Sequence, residues 1–239
     1  MSVVVTVLAL VLLVWAGVLL AFAAPLAARW REPVLRHPVL ILESDDWGAG
    51  PLTQTAALRA LSTLLQQQRD SAGHPAVMTL GVVLEVPDGA RIAAADGSAY
   101  HAITLQDARF VDVRVAMRDG IEAGVFVPQL HGQCHYWPPA VMAAAQHNPA
   151  VRDWLMNPEP AATEDLPSHL QSRWVDASEL PSRALAPDAI QQAIDTEAAT
   201  YQAIFKHAPR VAVATTFVWN DTVETAWRKV GVEAVITPG

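Results

Sequence analysis

The longest apolar run comes first. From Val3 to Ala24 the chain carries no charged side chain, and a run of that length is enough to cross a bilayer as a helix. After it the pattern changes to short apolar blocks separated by amphipathic stretches. Val39 to Leu42 is continuous rather than alternating, as parallel strands are. Leu52 to Gln68 sets Leu58, Leu61, Leu64 and Leu65 at helical spacing. Ala76 to Val86 predicts a second strand, closed by the turn signal Pro87-Asp88-Gly89. Arg91 to Leu105 has little periodicity and reads as a long loop. Asp107 to Glu122 returns to helical spacing through Phe110, Val113, Met117 and Ile121, with Gly124 as the stop.

Val125 to Leu130 predicts the third strand, with Pro128 a misfit because proline cannot donate to a ladder. Pro138-Pro139 opens a helix that runs through Gln146. Asn148 to Pro187 is irregular, rich in proline, and carries Trp154 and Trp174. Asp188 to His207 is amphipathic, with Ile190, Ile194, Tyr201, Ile204 and Phe205 on one side. Val211 to Val218 predicts a fourth strand, Thr222 to Val230 a helix ended by Gly231, and Val232 to Ile236 a fifth strand.

Strand–helix alternation argues a parallel α/β sheet or barrel. In both, functional groups gather at the C-terminal ends of the strands. Asp45, Asp46, His131, His135 and Asn220-Asp221 all fall at or just past predicted strand ends. The expected organisation is an apolar segment over residues 1–28, a linker over 29–38 that includes Pro33 to Pro38, and one α/β domain over 39–239.

Composition adjusts this picture in three places. The 52% apolar content is high for a soluble chain, and the first segment accounts for part of the excess. That segment is expected to be an uncleaved, single-pass membrane anchor. Ala21-Phe22-Ala23 has the small-x-small shape of a signal-peptide cleavage site, but no Lys or Arg precedes the run and it exceeds a signal core. Arg29, Arg31 and Arg36 follow it, which the positive-inside rule would keep cytoplasmic, although large domains often escape that rule; the side of the membrane stays open. A net charge of −8 without any basic run argues against nucleic acid as a partner. The single cysteine, Cys134, excludes an internal disulfide and a cysteine-based zinc cluster.

The candidate chemistry lies in two stretches, Glu43-Ser44-Asp45-Asp46-Trp47-Gly48 and His131-Gly132-Gln133-Cys134-His135. Two imidazoles four residues apart share a face in a helix and also converge in a tight loop. Taken alone, such a pair is as readily explained by loop histidines bonded to backbone, and adjacent acids after a strand often cap or hold a turn. Together they supply a divalent-metal ligand set plus a spare carboxylate to act as base beside it. Period-two alternation puts Glu43 on the same side as Asp45. Cys134 reads as a small buried hydrophobe. Trp47, Trp137 and Trp219 flank the polar stretches; flat aromatic faces suit sugar rings, and core packing explains each equally well.

Asp-Asp after the first strand and His-x-x-x-His after the third resemble the first two motifs of the polysaccharide deacetylases, the NodB-like carbohydrate esterases. The resemblance implies a distorted (β/α) barrel, with Asp45 as catalytic base and with Asp46, His131 and His135 as ligands of zinc or a similar divalent ion. Phe217 to Asp221 stands where that family has its third motif, so Asn220 and the three tryptophans become candidates for substrate contact. The family usually has Ser or Thr after the first histidine, where this chain has Gly132. The later motifs, including a histidine acting as general acid, would lie beyond Gly239, so the expected barrel is incomplete.

The function so implied is metal-dependent removal of acetyl groups from an N- or O-acetylated polysaccharide or oligosaccharide. Two alternatives stand beside it. One is a non-catalytic, membrane-anchored glycan-binding or assembly relative of the same fold. The other is a glycosidase using two carboxylates.

Overall fold

The computed structural model describes residues 2–32 and 39–237; the linker expected over Pro33 to Pro38 lies outside the described residues. The chain divides into two units, Met1–Leu40 and Ile41–Gly239. The first holds helices α1 (Val3–Ala21) and α2 (Ala23–Trp30). Ser2 caps α1 by accepting from the Val4 amide. No residue of α1 is buried, and the helix is long and apolar enough to cross a membrane.

The second unit is an α/β fold. Its elements, in chain order, are β1 (Leu42–Gly48), α3 (Gln54–Gln67), β2 (Met78–Val83), β3 (Glu85–Pro87), α4 (Gly89–Ala94), β4 (Ala102–Thr104), α5 (Val111–Glu122) and β5 (Phe126–Leu130). There follow α6 (Pro138–Ala145), α7 (Pro149–Leu155), β6 (Val175–Asp176), β7 (Arg183–Ala184), α8 (Pro187–Phe205), β8 (Val211–Val213), α9 (Asp221–Lys229) and β9 (Ala234–Ile236). Five strands form one sheet in the order β1-β2-β5-β8-β9, each pair parallel. Spatial order follows chain order, so every crossover steps the same way. The described strands show no reversal of order of the kind that marks a doubly wound sheet.

The core fills the space between sheet and helices. Leu80, Val82, Phe126 and Leu130 meet Leu58 and Leu65 of α3 and Val113 and Met117 of α5, all buried. Farther along, Ile190 and Ile194 of α8 pack with Val223 and Trp227 of α9 and with Trp174. The helical spacings in the sequence therefore mark the buried faces, except at Leu64 of α3, which is exposed.

Several limits differ from the sequence reading. The first strand begins at Leu42, where the apolar block ends: Val39, Leu40 and Ile41 are exposed, and the strand is carried by pairing with β2 from Leu42↔Met78 to Gly48↔Val83. The acid pair thus lies inside β1, not after it. The expected loop over Arg91 to Leu105 contains most of α4, capped by Asp88, and β4, which pairs antiparallel with β3. Such short pieces are fixed by caps and partners, not by period. Asn148 to Pro187 likewise contains α7, capped by Asn148, and the β6–β7 pair. The fourth strand stops at Val213, because the backbone turns into a 3-10 turn, Thr215–Phe217, with Thr216 and Phe217 at positive φ.

Pro128 fits β5 because pairing with β8 is confined to Leu130↔Ala212. Its carbonyl accepts from the Tyr201 hydroxyl at 2.9 Å instead. Where α5 meets β5, a Cβ on Gly120 would stand 2.1 Å from Cδ2 of the buried Phe126. Gly120→Ala is therefore expected to cost about 1–3 kcal/mol through overpacking, read as a lower thermal midpoint. An unchanged midpoint would mean that the ring moves aside freely.

Candidate metal centre

The site starts from one extra residue in β1. Ser44 pairs with Leu80 and Trp47 with Val82, so three steps along β1 match two along β2. The surplus is a β-bulge, which breaks the alternation of side chains and re-aims them. Asp46 sits in it at φ 63°, a left-handed conformation uncommon outside glycine. Gln54, at the start of α3, holds the chain just beyond. Its Oε1 accepts from the Gly48 amide at 2.9 Å and its Nε2 donates to the Asp46 carbonyl at 3.4 Å.

Two strands away, His131 follows β5. Its amide donates to the Val82 carbonyl, and its Nδ1 bonds the Val213 carbonyl at 3.0 Å, which leaves Nε2 as the free nitrogen. Nε2 of His131 lies 3.5 Å and Nε2 of His135 3.4 Å from Oδ1 of Asp46. The imidazole centroids are 4.8 Å apart at 61°. Both histidines are buried, while Asp46 is about a third exposed (35%) and opens to solvent.

The three donor atoms lie within 4.8 Å of one another. A tetrahedral ion with bonds of about 2.0–2.1 Å has ligand–ligand edges of about 3.3–3.4 Å, close to both Asp46 distances. Oδ1 of Asp46 and Nε2 of His131 are buried and make no hydrogen bond, a condition buried polar atoms rarely tolerate without a partner. Two imidazoles and a carboxylate are also the donor types a zinc-like ion takes. The residues fit a divalent metal.

Asp45 is placed differently. A Cβ on Gly81 of β2 would stand 2.3 Å from its Oδ1, so only glycine leaves room for this carboxylate. That oxygen is buried and also unpartnered. Burial pushes the Asp45 carboxyl up, with His131 pulling it down and Asp46 adding to the rise. Burial opposes the charge of Asp46 as well, but the two imidazoles outweigh it and hold that carboxyl below its usual range. Glu43 lies outside the cluster, largely exposed on β1; slight desolvation and the Asp45 charge push its carboxyl up, with Thr79 opposing.

The other candidates fall elsewhere or have other partners. Trp47 lines a cleft of about 250 Å³ together with Asp45, Asp46, Gly50, Gln54 and Thr163. Trp137 and Trp219 pack against the core, and the Trp219 indole donates to Glu224 at 2.9 Å. Asn220 is exposed and caps α9, accepting from the Thr222 and Val223 amides. Cys134 is fully buried, and burial pushes its thiol up to about 12, which removes it as a thiolate. Gln54 and Gly81 escaped the sequence reading; a glycine inside a strand, where backbone or side chain approaches closely, was the available signal for the second.

In the metal-free protein the two imidazoles are expected to titrate apart. Burial works against the charged form of His131, but Asp46 and Asp45 raise it above the ordinary value; burial lowers His135, with Asp46 offsetting only part. NMR titration of the ring resonances should place His131 above His135, and Asp46→Asn should lower His131. The reverse order would contradict this account of the charges.

Comparison with known proteins gives distant structural similarities only. No family model matches the chain, and no curated protein matches it. Among solved structures it is similar to a polysaccharide deacetylase from Bacillus cereus, at 13% identity and TM-score 0.39, over 83% of this chain and 40% of that one. A de-N-acetylase from Aggregatibacter actinomycetemcomitans aligns at 16% identity and TM-score 0.42, over 85% of this chain and 64% of that one. A deacetylase domain from Bordetella bronchiseptica aligns at 15% identity and TM-score 0.42, over 83% of this chain and 64% of that one. The chain spans less than two thirds of the length of each of these three structures.

Proposed function

We propose that this chain is a metal-dependent hydrolase that removes acetyl groups from an acetylated polysaccharide. Asp46, His131 and His135 hold zinc or a similar divalent ion, and Asp45 is the base. The observation that carries the reading is the convergence of both Nε2 atoms on Oδ1 of Asp46 at 3.5 and 3.4 Å, with no hydrogen bond to satisfy that oxygen. The substrate class comes from the motif resemblance.

A divalent ion held there supplies Lewis acidity toward the acetyl carbonyl and makes a nearby water easier to deprotonate. The chain's own groups do the rest. Nδ1 of His131, tied to Val213, keeps its ring in one orientation. Asp45, in the slot opposite Gly81, accepts the water proton as the water oxygen adds to the acetyl carbon. The carbon–nitrogen or carbon–oxygen bond then breaks, acetate leaves, and the sugar amine or hydroxyl takes up a proton. The raised Asp45 carboxyl suits this role, since a base nearer to neutrality is a better proton acceptor.

Three variants test the division of labour. His131→Ala and His135→Ala should abolish binding of the roughly one equivalent of zinc expected for a three-ligand site. Asp45→Asn should keep the metal and lose acetate release by ~10²–10⁴-fold. Elemental analysis and an acetate assay on an acetylated oligosaccharide read both. Unchanged metal in the two histidine variants, or full turnover in Asp45→Asn, would sink the assignment.

Residues 1–28 act as a single-pass anchor in this reading, 29–38 as the linker and 39–239 as the catalytic domain. The exposed, uncharged α1 supports the first of these. The protein should stay with membranes through carbonate washing. Recovery of a mature protein beginning at Ala24 or later would show a cleaved signal instead.

A further inference from the structure

The loop that carries both imidazoles is gripped by buried ionisable groups that the proposed chemistry does not use. Glu197 of α8 is wholly buried; its Oε2 accepts from the Gln133 amide at 3.0 Å and its Oε1 from the Trp227 indole at 3.0 Å. Arg173, also buried, donates from Nη1 to Cys134 Sγ at 3.1 Å and to the Tyr136 carbonyl at 3.4 Å. Its guanidinium stands 5.6 Å from the Trp137 ring centroid and 5.7 Å from that of Trp174. On a third side the Leu84 and Glu85 amides donate to the Gln133 carbonyl, and the Gln133 amide side chain donates to Glu85.

The contacts converge on one short segment. Every atom of the 133–136 stretch named above is a backbone atom, the Gln133 side chain or the Cys134 sulfur. The segment opens with Gly132 at φ 96°, the bend that lets His131 and His135 face the same way. Buried charges are a poor way to stabilise a core: taking a carboxylate and a guanidinium out of water costs several kcal/mol each, and apolar side chains of similar volume often do as well or better. What such groups supply is geometry: Glu197 is bonded at both carboxylate oxygens and Arg173 through Nη1, its Nε having no partner, and buried bonds of this kind tolerate little displacement. In metal sites, outer groups that orient the ligands act in this way.

We propose that Glu197 and Arg173 are positioning residues of the Asp46–His131–His135 site, holding residues 133–136 in the bend that turns both imidazoles toward Asp46. This rests on the metal reading above. Neither residue touches the ligand atoms: Glu197 acts through the Gln133 amide between the two histidines, and Arg173 through the Cys134 sulfur and the Tyr136 carbonyl on either side of His135. Glu197 anchors the first half of the segment to α8, and Arg173 anchors the second half. Arg173 also ties in the turn after β8, since its amide donates to the buried Thr215 hydroxyl at 2.8 Å. That turn follows Val213, whose carbonyl orients His131.

The test compares zinc affinity with stability in the full-length, detergent-solubilised chain. Glu197→Gln keeps size and shape but sets an amide N–H against either the Gln133 amide or the Trp227 indole; Arg173→Lys keeps the charge and loses the fork. Ile190→Val, a fully buried core change in the same helix as Glu197, serves as the control for simple destabilisation. Chelator competition should show zinc binding weakened about 10–100-fold in Glu197→Gln and Arg173→Lys, with an altered visible spectrum when cobalt replaces zinc. Ile190→Val should bind zinc as the wild type does, even where its thermal midpoint is lower. Wild-type zinc affinity and an unaltered cobalt spectrum in a folded Glu197→Gln or Arg173→Lys chain would overturn the inference alone. A wild-type chain that binds no zinc would overturn the metal reading and this one with it. Should Glu197→Gln fail to fold, Arg173→Lys decides by the same two readouts.

Discussion

A strand that pairs Ser44 with Leu80 and Trp47 with Val82 must absorb one residue more than its partner. In an unbroken β1, neighbouring residues would point to opposite faces. The bulge breaks that rule at the two acids. Asp45 settles against Gly81 of the adjacent strand, and Asp46, at positive φ, swings to the two imidazoles beyond β5. Strain of this kind persists only where the surroundings enforce it. Here the enforcement comes from β2 on one side and from Gln54 on the other. The rest of the site can be read as the set of groups that makes this one irregularity useful.

The helices and the long connection after β5 supply that support from a distance. α3 begins with Gln54, which closes the turn after the bulge; α8 brings Glu197 under the histidine loop; the segment around Arg173 closes it from another side. Gln54 meets Asp46 only at its backbone carbonyl, and Glu197 and Arg173 make no hydrogen bond to the three cluster residues. The parallel sheet sets the frame, placing β1, β2 and β5 side by side so that a carboxylate from the first strand meets imidazoles from the third. The same frame explains why the sheet tolerates Pro128: β5 needs its full ladder only toward β2.

The sequence showed the kind of element well and its limits poorly. Leu58 and Leu65, Val113 and Met117, Ile190 and Ile194 all announced the buried faces of their helices by spacing alone. The residues of the Asp46–His131–His135 cluster were also legible, since an acid pair and a His-x-x-x-His after apolar blocks are local patterns. The bulge was not, because it exists only relative to the register of β2. The fourth strand was drawn too long for a related reason: Ala214 to Val218 is apolar enough for a strand, but the chain bends there so that Thr215 can meet Arg173. Arg173 and Glu197 themselves carried no sequence signal. A charged residue in an irregular stretch and one on a helix read as solvated until the fold buries them. Asn220, expected near a strand end, caps α9.

The charges within the cluster also bear on when it can take up a metal. Without an ion, Asp46 and His131 stabilise one another: the carboxyl is held below its usual range and the imidazole above. The Asp46 contribution is present above the ordinary carboxylate pKa and is lost as pH falls through the lowered value. The His131 contribution is complete below the ordinary imidazole pKa and is lost as pH rises through the raised value. A metal needs the opposite state of His131, neutral with Nε2 free, so binding must expel a proton that Asp46 retains. His135 opposes this less, because burial already favours its neutral form. The two histidines therefore contribute differently. Burial favours the neutral form of His135, and the two carboxylates favour the charged form of His131. The tie from its Nδ1 to Val213 fixes the ring so that Nε2 faces Asp46 without any turn of the side chain.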